Sequence, residues 1–461
     1  MLDNITEILE LINEYLLSPI SVMTLIFAGI FLSVRLKFFH LTNPIKLIRH
    51  VTQKCKKDDT SPFRALTVAL AGTLGVGNIS GVALAIAYGG PGAVFWMWVS
   101  AILSMIVKYA EIVLAVYHRD EANCEIHGGA MYYLKNGIKR KGVASVLSIG
   151  FAVFCLFSSL STGSVVQVSA VSEAFSGCFN IQPLISGIIM TLLCSAAIFG
   201  HNAKKISNIT VKLVPIMSLT FIILSLIIII TNISKMPSIL NIILDDAFTA
   251  QAGVGGILSF LFARSVRFGV TKGLFSNEAG CGTSTIAHAS SNTSSAATQG
   301  IWGIFEVFFD TIILCSLSAF VLLISYGEAV PKEGGGVMVS LCAYTMSLGS
   351  FAGDLLAFSM FLFAYATIIC WAFYGCECLY FLTKNISIKN LYLIFYSLSV
   401  LYGAIAPSSF IWAIADSSIC IMMCVNTICV CLMSDTVVEL SKNGLLSSSI
   451  KKLSYVKEKM R

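Results

Sequence analysis

The stretch Ala71-Gly72-Thr73-Leu74-Gly75-Val76-Gly77-Asn78-Ile79-Ser80-Gly81 sets four glycines in the middle of an otherwise apolar segment. Glycine weakens a helix interior by up to about 1 kcal/mol relative to alanine, so a helix is expected to unwind here. At membrane depth an unwound backbone persists only where protein or a water-filled cavity meets its polar groups. A second interruption, Gly273-Leu274-Phe275-Ser276-Asn277-Glu278-Ala279-Gly280-Cys281-Gly282, follows about two hundred residues later. Paired interruptions in two halves of a hydrophobic chain point to a secondary transporter with its site at the breaks.

Composition excludes an ordinary soluble domain: 56% of the 461 residues are hydrophobic and 12% are charged, with a mean hydropathy of +0.85. Apolar stretches near the roughly 20 residues needed to cross a bilayer run over 18–34, 65–88, 92–117, 146–170, 182–200 and 208–231. Others cover 255–290, 301–326, 355–382, 389–406 and 409–433. They predict an all-α polytopic membrane protein of about 11 transmembrane helices.

The net charge of +6 has a topological reading. Basic residues crowd the first connection (Arg35, Lys37, Lys46, Arg49, Lys54, Lys56, Lys57, Arg64) and the third (Arg119, Lys135, Lys139, Arg140, Lys141). Further clusters are Lys204, Lys205 and Lys212, then Lys384 and Lys389, then the tail from Lys442 to Arg461. If the spans alternate, all lie on one side, and they hold 24 of the 30 basic residues against Lys235 and Lys332 in the alternate connections. The positive-inside rule then predicts a multi-pass protein of the plasma (cytoplasmic or inner) membrane, N-terminus outside and C-terminus cytoplasmic.

Membrane lipid is the expected partner of the basic surplus, and nucleic acid is not expected, because its motifs and aromatic platforms are missing. No obligate protein partner is evident. Residues 1–17 carry Asp3, Glu7, Glu10 and Glu14 with no basic residue, unlike a secretory signal, so this segment is expected along the outer interface. The 15 cysteines are mostly scattered through apolar spans, and Cys376-Glu377-Cys378 lacks a second pair at zinc-site spacing. They read as small core hydrophobes.

Setting aside the first span leaves ten, which divide into 62–232 and 255–433, each opening on a glycine-broken segment. A five-span unit followed by another must enter the membrane from the opposite side, so two units of one fold are related by an axis in the membrane plane. The expected domains are 1–61 (interfacial segment, first helix, basic loop), 62–232 (first repeat), 233–254 (extracytoplasmic loop), 255–433 (second repeat) and 434–461 (cytoplasmic basic tail).

Gly75-Val76-Gly77-Asn78-Ile79-Ser80-Gly81-Val82-Ala83, Gly89-Gly90-Pro91-Gly92-Ala93-Val94-Phe95-Trp96-Met97-Trp98 and Lys108-Tyr109-Ala110-Glu111 resemble the alanine or glycine:cation symporter family. So do Gly273-Leu274-Phe275-Ser276-Asn277-Glu278-Ala279-Gly280, Ile286-Ala287-His288-Ala289 and Asp310-Thr311-Ile312, the likeness covering roughly residues 20 to 435. The resemblance implies sodium-coupled uptake of alanine or glycine on a leucine-transporter-type 5+5 inverted repeat. Its first and sixth core helices would be broken, and one extra helix would precede them.

An amino-acid zwitterion needs donors for its carboxylate, acceptors for its ammonium and a wall for its side chain. The N–H groups of Val76 and Gly77 at the start of a half-helix suit the carboxylate, with Gly75 and Gly77 allowing close approach and Asn78 adding a polar group. Tight helix packing explains Gly81 and Gly89 equally well. Sodium prefers oxygen ligands, and the unwound carbonyls of Ala71 and Leu74 are candidates. Ala364, Thr367, Ile368 and Trp371 share one helix face, and similarity to the leucine-transporter fold implies that Ala364 and Thr367 complete the sodium site, although Ile368 replaces the second hydroxyl common there. Gln167, in the polar run Ser158 to Gln167, reads as interhelical glue or, with the family, as a ligand for the ammonium. Phe275 and Trp371 would wall and cap the pocket, and Ser276 and Asn277 are natural partners for ammonium or ion.

Glu278 has a plain account, pairing with Arg264, Arg267 or Lys272, and a functional alternative, proton-coupled amino-acid symport with Glu278 as carrier. Lys108 and Glu111, at i and i+3, are expected to pair. Asp310 and Asp416 are gate candidates that the sequence does not place. An enzyme is not expected, because no paired metal ligands or activated nucleophile are visible.

Overall fold

Ser61 caps the opening half-helix by accepting from the Arg64 N–H at 3.4 Å, and Pro62 takes the first helical position, where a missing N–H is no loss. In the computed structural model this half-helix, Pro62–Thr73, stops where Leu74 leaves helical geometry and Gly75 is extended. A 3-10 turn, Val76–Asn78, leads into Ser80–Gly89, and the two halves meet at 66°. The structure describes residues 2–42, 61–122, 125–199, 203–248, 264–293, 295–406 and 408–443. Lys46, Arg49, Lys54, Lys56 and Lys57, the stretch 255–263 that opens the second half, and the tail from 444 onward lie outside them.

Seven helices among the described residues are long and apolar enough to cross a membrane: Ile5–Arg35, Ala93–Tyr117, Lys141–Phe179, Lys204–Thr231, Ala296–Tyr326, Ser350–Thr383 and Phe410–Leu432. The bent pair supplies an eighth. Of the other expected spans, Pro183–Ile198 and Ile386–Gly403 are shorter helices, and the second broken span consists of Arg264–Asn277 and Thr285–Ala289.

Two groups of helices stand out. The broken spans pack with Ala93–Tyr117 and Ala296–Val307, while Lys141–Leu160 and Val166–Phe179 pack with Ser350–Thr383, and Pro183–Ile198 with Ile386–Gly403. Ser350–Thr383 also touches Pro62–Thr73, so the first break faces the second group.

The basic connections gather at one end, where Arg35 meets Ser434 and Asp435, Arg64 meets Asn208, and Arg119 donates to the Ser291 carbonyl. At the opposite end Asp246 accepts from the Gly92 N–H at 2.7 Å and Trp96 donates to the Ala247 carbonyl.

The N-terminal segment differs from expectation. Leu2–Ile12 runs through a π-helical turn, Asn13–Leu17, straight into Ser18–Arg35. Asn13 donates to the Ala413 carbonyl at 2.8 Å and accepts from Ser417, fastening the segment to the last spanning helix. Its apolar face, Ile5, Ile8, Leu11 and Ile12 among others, continues the apolar surface of the span. A helix already started is cheaper to extend than to stop and restart.

Candidate functional site

Several backbone groups at the first break find a partner from another helix or from their own turn, as burial demands. The Gly72 carbonyl accepts from Trp371 Nε1 at 3.3 Å, the Leu74 carbonyl from the Thr367 hydroxyl at 3.3 Å, and the Asn78 carbonyl from Ser318 at 2.6 Å. Val76 N–H donates to Gln167 Oε1 at 3.1 Å, and Gln167 Nε2 donates to the Thr162 carbonyl. The Val76 N–H is therefore not a free donor, as its place at a half-helix start suggested; the Gln167 amide oxygen occupies it. A methyl group at Gly75 would sit 2.8 Å from that oxygen and 3.2 Å from Thr367 Oγ1, and one at Gly77 would sit 3.2 Å from the Phe275 ring. Both glycines are where side chains of the other elements press against the backbone.

The expected ion ligands fall on two facing helices. Leu74 and Thr367 meet, while Ala71 and Ala364 are fully buried on the same two packed helices. Calcium, similar in size to sodium, takes oxygens at about 2.3–2.6 Å, which puts neighbouring ligands about 3.4 Å apart. The Leu74 and Thr367 oxygens are 3.3 Å apart. The Thr367 hydroxyl has a single proton and also lies 3.0 Å from the Phe363 carbonyl one turn earlier; given to Phe363, that proton leaves the hydroxyl lone pairs facing the Leu74 carbonyl, as a cation between the two oxygens requires.

Beside the break lies a fully buried polar hub. Asp310 sits in a π-helical turn, Phe308–Cys315, and accepts from Asn78 Nδ2 at 2.7 Å, Ser276 Oγ at 2.7 Å and Thr311 Oγ1 at 2.8 Å. Asn78 Nδ2 also reaches Ser276 at 2.9 Å, and Asn277 Nδ2 donates to Thr311 at 3.1 Å. Asn78 and Ser276 are thus assembled by Asp310, and Asn277 by the neighbouring Thr311. The Asn78 Oδ1 acceptor is buried without a hydrogen-bond partner.

The second break follows at once. Glu278 adopts φ +52°, and Gly280 and Gly282 have φ +84° and +78°, a region that favours glycine. At Gly280 a side chain would also strike Thr427 at 2.4 Å.

Two expected ion pairs are not formed. Glu278 does not meet Arg264, Arg267 or Lys272; it accepts from the Thr283 hydroxyl at 2.5 Å. Arg264 donates to the Tyr88 carbonyl, Arg267 pairs with Glu14 at 2.9 Å, and Lys272 pairs with Asp416 at 2.7 Å. The half-helix aims these side chains away from the break, toward the mouth opposite the basic end. Lys108 and Glu111 also part company. The Lys108 ammonium donates to Ser284 at 2.8 Å and pairs with Glu306 at 3.4 Å, and His288 links Glu306 to Gln299. Glu111 instead accepts from the Gly280 N–H and from Asn426.

Phe275 and Trp371 bracket the break from its two ends. Phe275 leans on Trp412, ring centroids 5.1 Å apart, toward the opposite mouth. Trp371 lies a turn beyond Thr367 toward the basic end, against Gly163 in the π-helical turn Ser161–Val165. Sequence reasoning missed Trp412 and Thr162. The i, i+4 spacing of Trp412 and Asp416 beside the i, i+3 spacing of Lys272 and Phe275 was the available signal.

This is a helical membrane protein built around two interrupted helices, and solved structures share that fold. The protein shares its fold with MhsT, solved with L-phenylalanine (TM-score 0.56, 14% identity, 81% of this chain and 87% of that one), and with a Na+-coupled sialic acid symporter (TM-score 0.54, 14% identity, 84% and 82%). Residues 2–452 match the sodium:alanine symporter family, and the chain belongs to it. Among its relatives are the sodium/alanine symporter AgcS of Methanococcus maripaludis, 36% identical over 94% of this chain and 95% of that protein, and the probable sodium/glutamine symporter GlnT of Bacillus subtilis, 31% identical over 93% and 88%. The protein is a sodium-coupled amino-acid symporter, not an enzyme.

Proposed function

We propose that the protein couples inward sodium movement to uptake of alanine or glycine by alternating access, with the basic end and the C-terminus in the cytoplasm and the N-terminus outside. Residues 62–232 and 255–433 are the two inverted repeats. The observation that carries this reading is the meeting of the Leu74 carbonyl and the Thr367 hydroxyl beside the Gly75–Gly77 break, because it sets hard oxygen ligands next to backbone that a small zwitterion can approach. Sodium lies between Ala71, Leu74, Ala364 and Thr367. The substrate carboxylate takes the N–H groups of Val76 and Gly77 by displacing Gln167, whose freed amide oxygen then accepts from the ammonium. Asn78 and Ser276, held by Asp310, and Asn277, held by Thr311, complete the polar side, and Phe275 and Trp371 leave room for a hydrogen or methyl side chain. Each positive charge moving inward across about 100 mV contributes roughly 2.3 kcal/mol toward accumulation.

Uptake of radiolabelled alanine into proteoliposomes, under a sodium gradient or separately a proton gradient at equal ionic strength, tests the whole. Sodium-driven accumulation blocked by glycine supports it. Proton-driven accumulation without sodium supports the second reading, coupling through Glu278, a buried carboxylate at the second break that accepts from the Thr283 hydroxyl. Accumulation under neither gradient means another substrate.

Thr367→Ala removes one oxygen ligand and is expected to raise the half-saturating sodium concentration about tenfold, with substrate binding at saturating sodium little changed. An unchanged sodium dependence removes Thr367 from the ion site. Trp371→Ala opens space against Gly163 and is expected to let serine or leucine compete with alanine. Competition no better than in the parent would show that this ring does not set substrate size.

A further inference from the structure

We propose that a cavity at the end of the molecule opposite the basic connections, separate from the transport site, holds the ethanolamine phosphate headgroup of a membrane phospholipid. Calling the adjoining leaflet the outer one rests on the orientation given above; the site itself does not.

The polar wall of the cavity is one face of one helix. Ser169, Ser172, Glu173 and Ser176 recur at i, i+3, i+4 and i+7 along Val166–Phe179 and line it together. Gln167, two residues before Ser169, points to nearly the opposite side of that helix, into the first break. The cavity thus lies behind the helix whose front serves the transport site. Its volume is about 820 Å³, and Leu184, Met338 and Ile405 stand across from the serines.

Glu173 is the one charged residue in this lining, and it forms no ion pair among the described residues. Its carboxylate faces the Met338 N–H, and a methyl group at Gly335 would sit 3.3 Å from Oε1, so it rests over the first turn of Gly335–Leu348. That contact uses one of the roughly four acceptor positions a carboxylate has. Ser172 reaches the Pro183 carbonyl at 3.5 Å, and Ser169 and Ser176 make no hydrogen bond among the described residues, so three hydroxyls can donate into the cavity.

A carboxylate facing an otherwise neutral space selects a cation. The volume, within the roughly 300–1,000 Å³ of pockets that hold whole organic molecules, is far more than a bare ion fills. A primary ammonium brings three N–H donors to Glu173, and a phosphate on the same molecule takes the serine hydroxyls one turn to either side. Ethanolamine phosphate carries both groups at the two ends of a two-carbon link. A headgroup with net negative charge would set that charge against Glu173, and choline, with no N–H, cannot donate to it.

The position also suits a lipid. Glu173 lies six residues, about 9 Å, before the helix ends at Phe179, and the polar layer of a bilayer leaflet is roughly 5–8 Å deep. Leu184, Ile188 and Leu192, one turn apart and exposed, run from the cavity toward the middle of the membrane and give an acyl chain its track. Met338 belongs to the helix whose Ser340 hydroxyl lies 3.4 Å from the Ile79 carbonyl, so an occupant of the cavity is one helix away from the first break.

Native mass spectrometry of the purified full chain in detergent, titrated with short-chain phosphatidylethanolamine or with phosphatidylcholine of the same chains, tests the site. The ethanolamine lipid is expected to bind about tenfold more tightly. Glu173→Gln keeps an acceptor for the Met338 N–H and should erase that preference while leaving the choline lipid bound as before. Ser172→Ala with Ser176→Ala, as a second variant, should weaken both lipids about fivefold through the shared phosphate. Equal binding of the two lipids by the parent, a preference that survives Glu173→Gln, or serine variants that bind both lipids as the parent does overturn the proposal. Free ethanolamine phosphate that displaces the lipid at equal concentration overturns the assignment to lipid and makes a soluble ligand the occupant. The measurement contains no gradient and no amino acid, so failure of the symport reading leaves its outcome as it is, and a chain inserted the other way changes only the leaflet.

Discussion

Asp310→Asn is expected to lower sodium-driven uptake roughly 30-fold or more, since hydrogen bonds to a charged group contribute about 1.5–3 kcal/mol and this carboxylate accepts three. The Asn78 amide, the Ser276 hydroxyl and the Thr311 hydroxyl all donate to it. An asparagine keeps the shape but turns an NH2 group toward at least one of these donors. The two hydroxyls can rotate and accept; the Asn78 amide can accept only by flipping, which takes its Nδ2 off Ser276 as well, and Asn78 belongs to the first break while Ser276 belongs to the second half-helix. The substitution thus loosens the joint between the two breaks rather than the packing around them. Transport assayed alongside the amount of folded protein in the membrane separates these effects. Uptake within threefold of the parent, at equal protein, would mean that Asp310 is an ordinary satisfied core group.

Lys108→Met is the second large effect, and it is a stability effect. Lys108 and Glu306 are both essentially unexposed, and removing one partner of a buried pair costs about 3–5 kcal/mol because the other charge stays behind. The thermal midpoint in detergent should fall sharply, and Lys108→Met combined with Glu306→Gln should recover most of the loss, since both charges then go together. His288 accepts or donates to either form of residue 306, which favours the recovery. A double variant no more stable than the single one would place the contribution of Lys108 in its bond to Ser284 instead.

The first break was legible because its cause is local: four glycines within eleven residues weaken a helix whatever surrounds it. Thr367 and Trp371 were legible as one face of one helix, and the structure sets that face against Leu74 and Gly72. Charge pairing was not legible. Lys108 has a carboxylate one turn away at Glu111, yet its long stem reaches Glu306 on another helix, and Glu111 is taken by the backbone of Gly280. Lys272 and Asp416 are 144 residues apart, so only the fold brings them together. Gln167 read from the sequence as interhelical glue or as a ligand for the ammonium, and its partner in the structure, the Val76 N–H, depends on how the 161–165 segment is wound.

That winding has a consequence for which lengths of chain the protein tolerates. Ser161–Val165 precedes Gln167, and Phe308–Cys315 contains Asp310; both are π-helical, holding one residue more per turn than an α-helix would. Excising a single residue from Ser161–Val165 would let the helix relax to ordinary winding with little rotation beyond it, because four residues at the α-helical spacing go about as far round as five at the wider one. A residue removed where the winding is already ordinary has no such slack, and turns everything beyond it by about 100°. The extra residue in each wide turn is thus slack in the chain, and the count of residues between that turn and the rest of the helix is what fixes where Gln167 and Asp310 point.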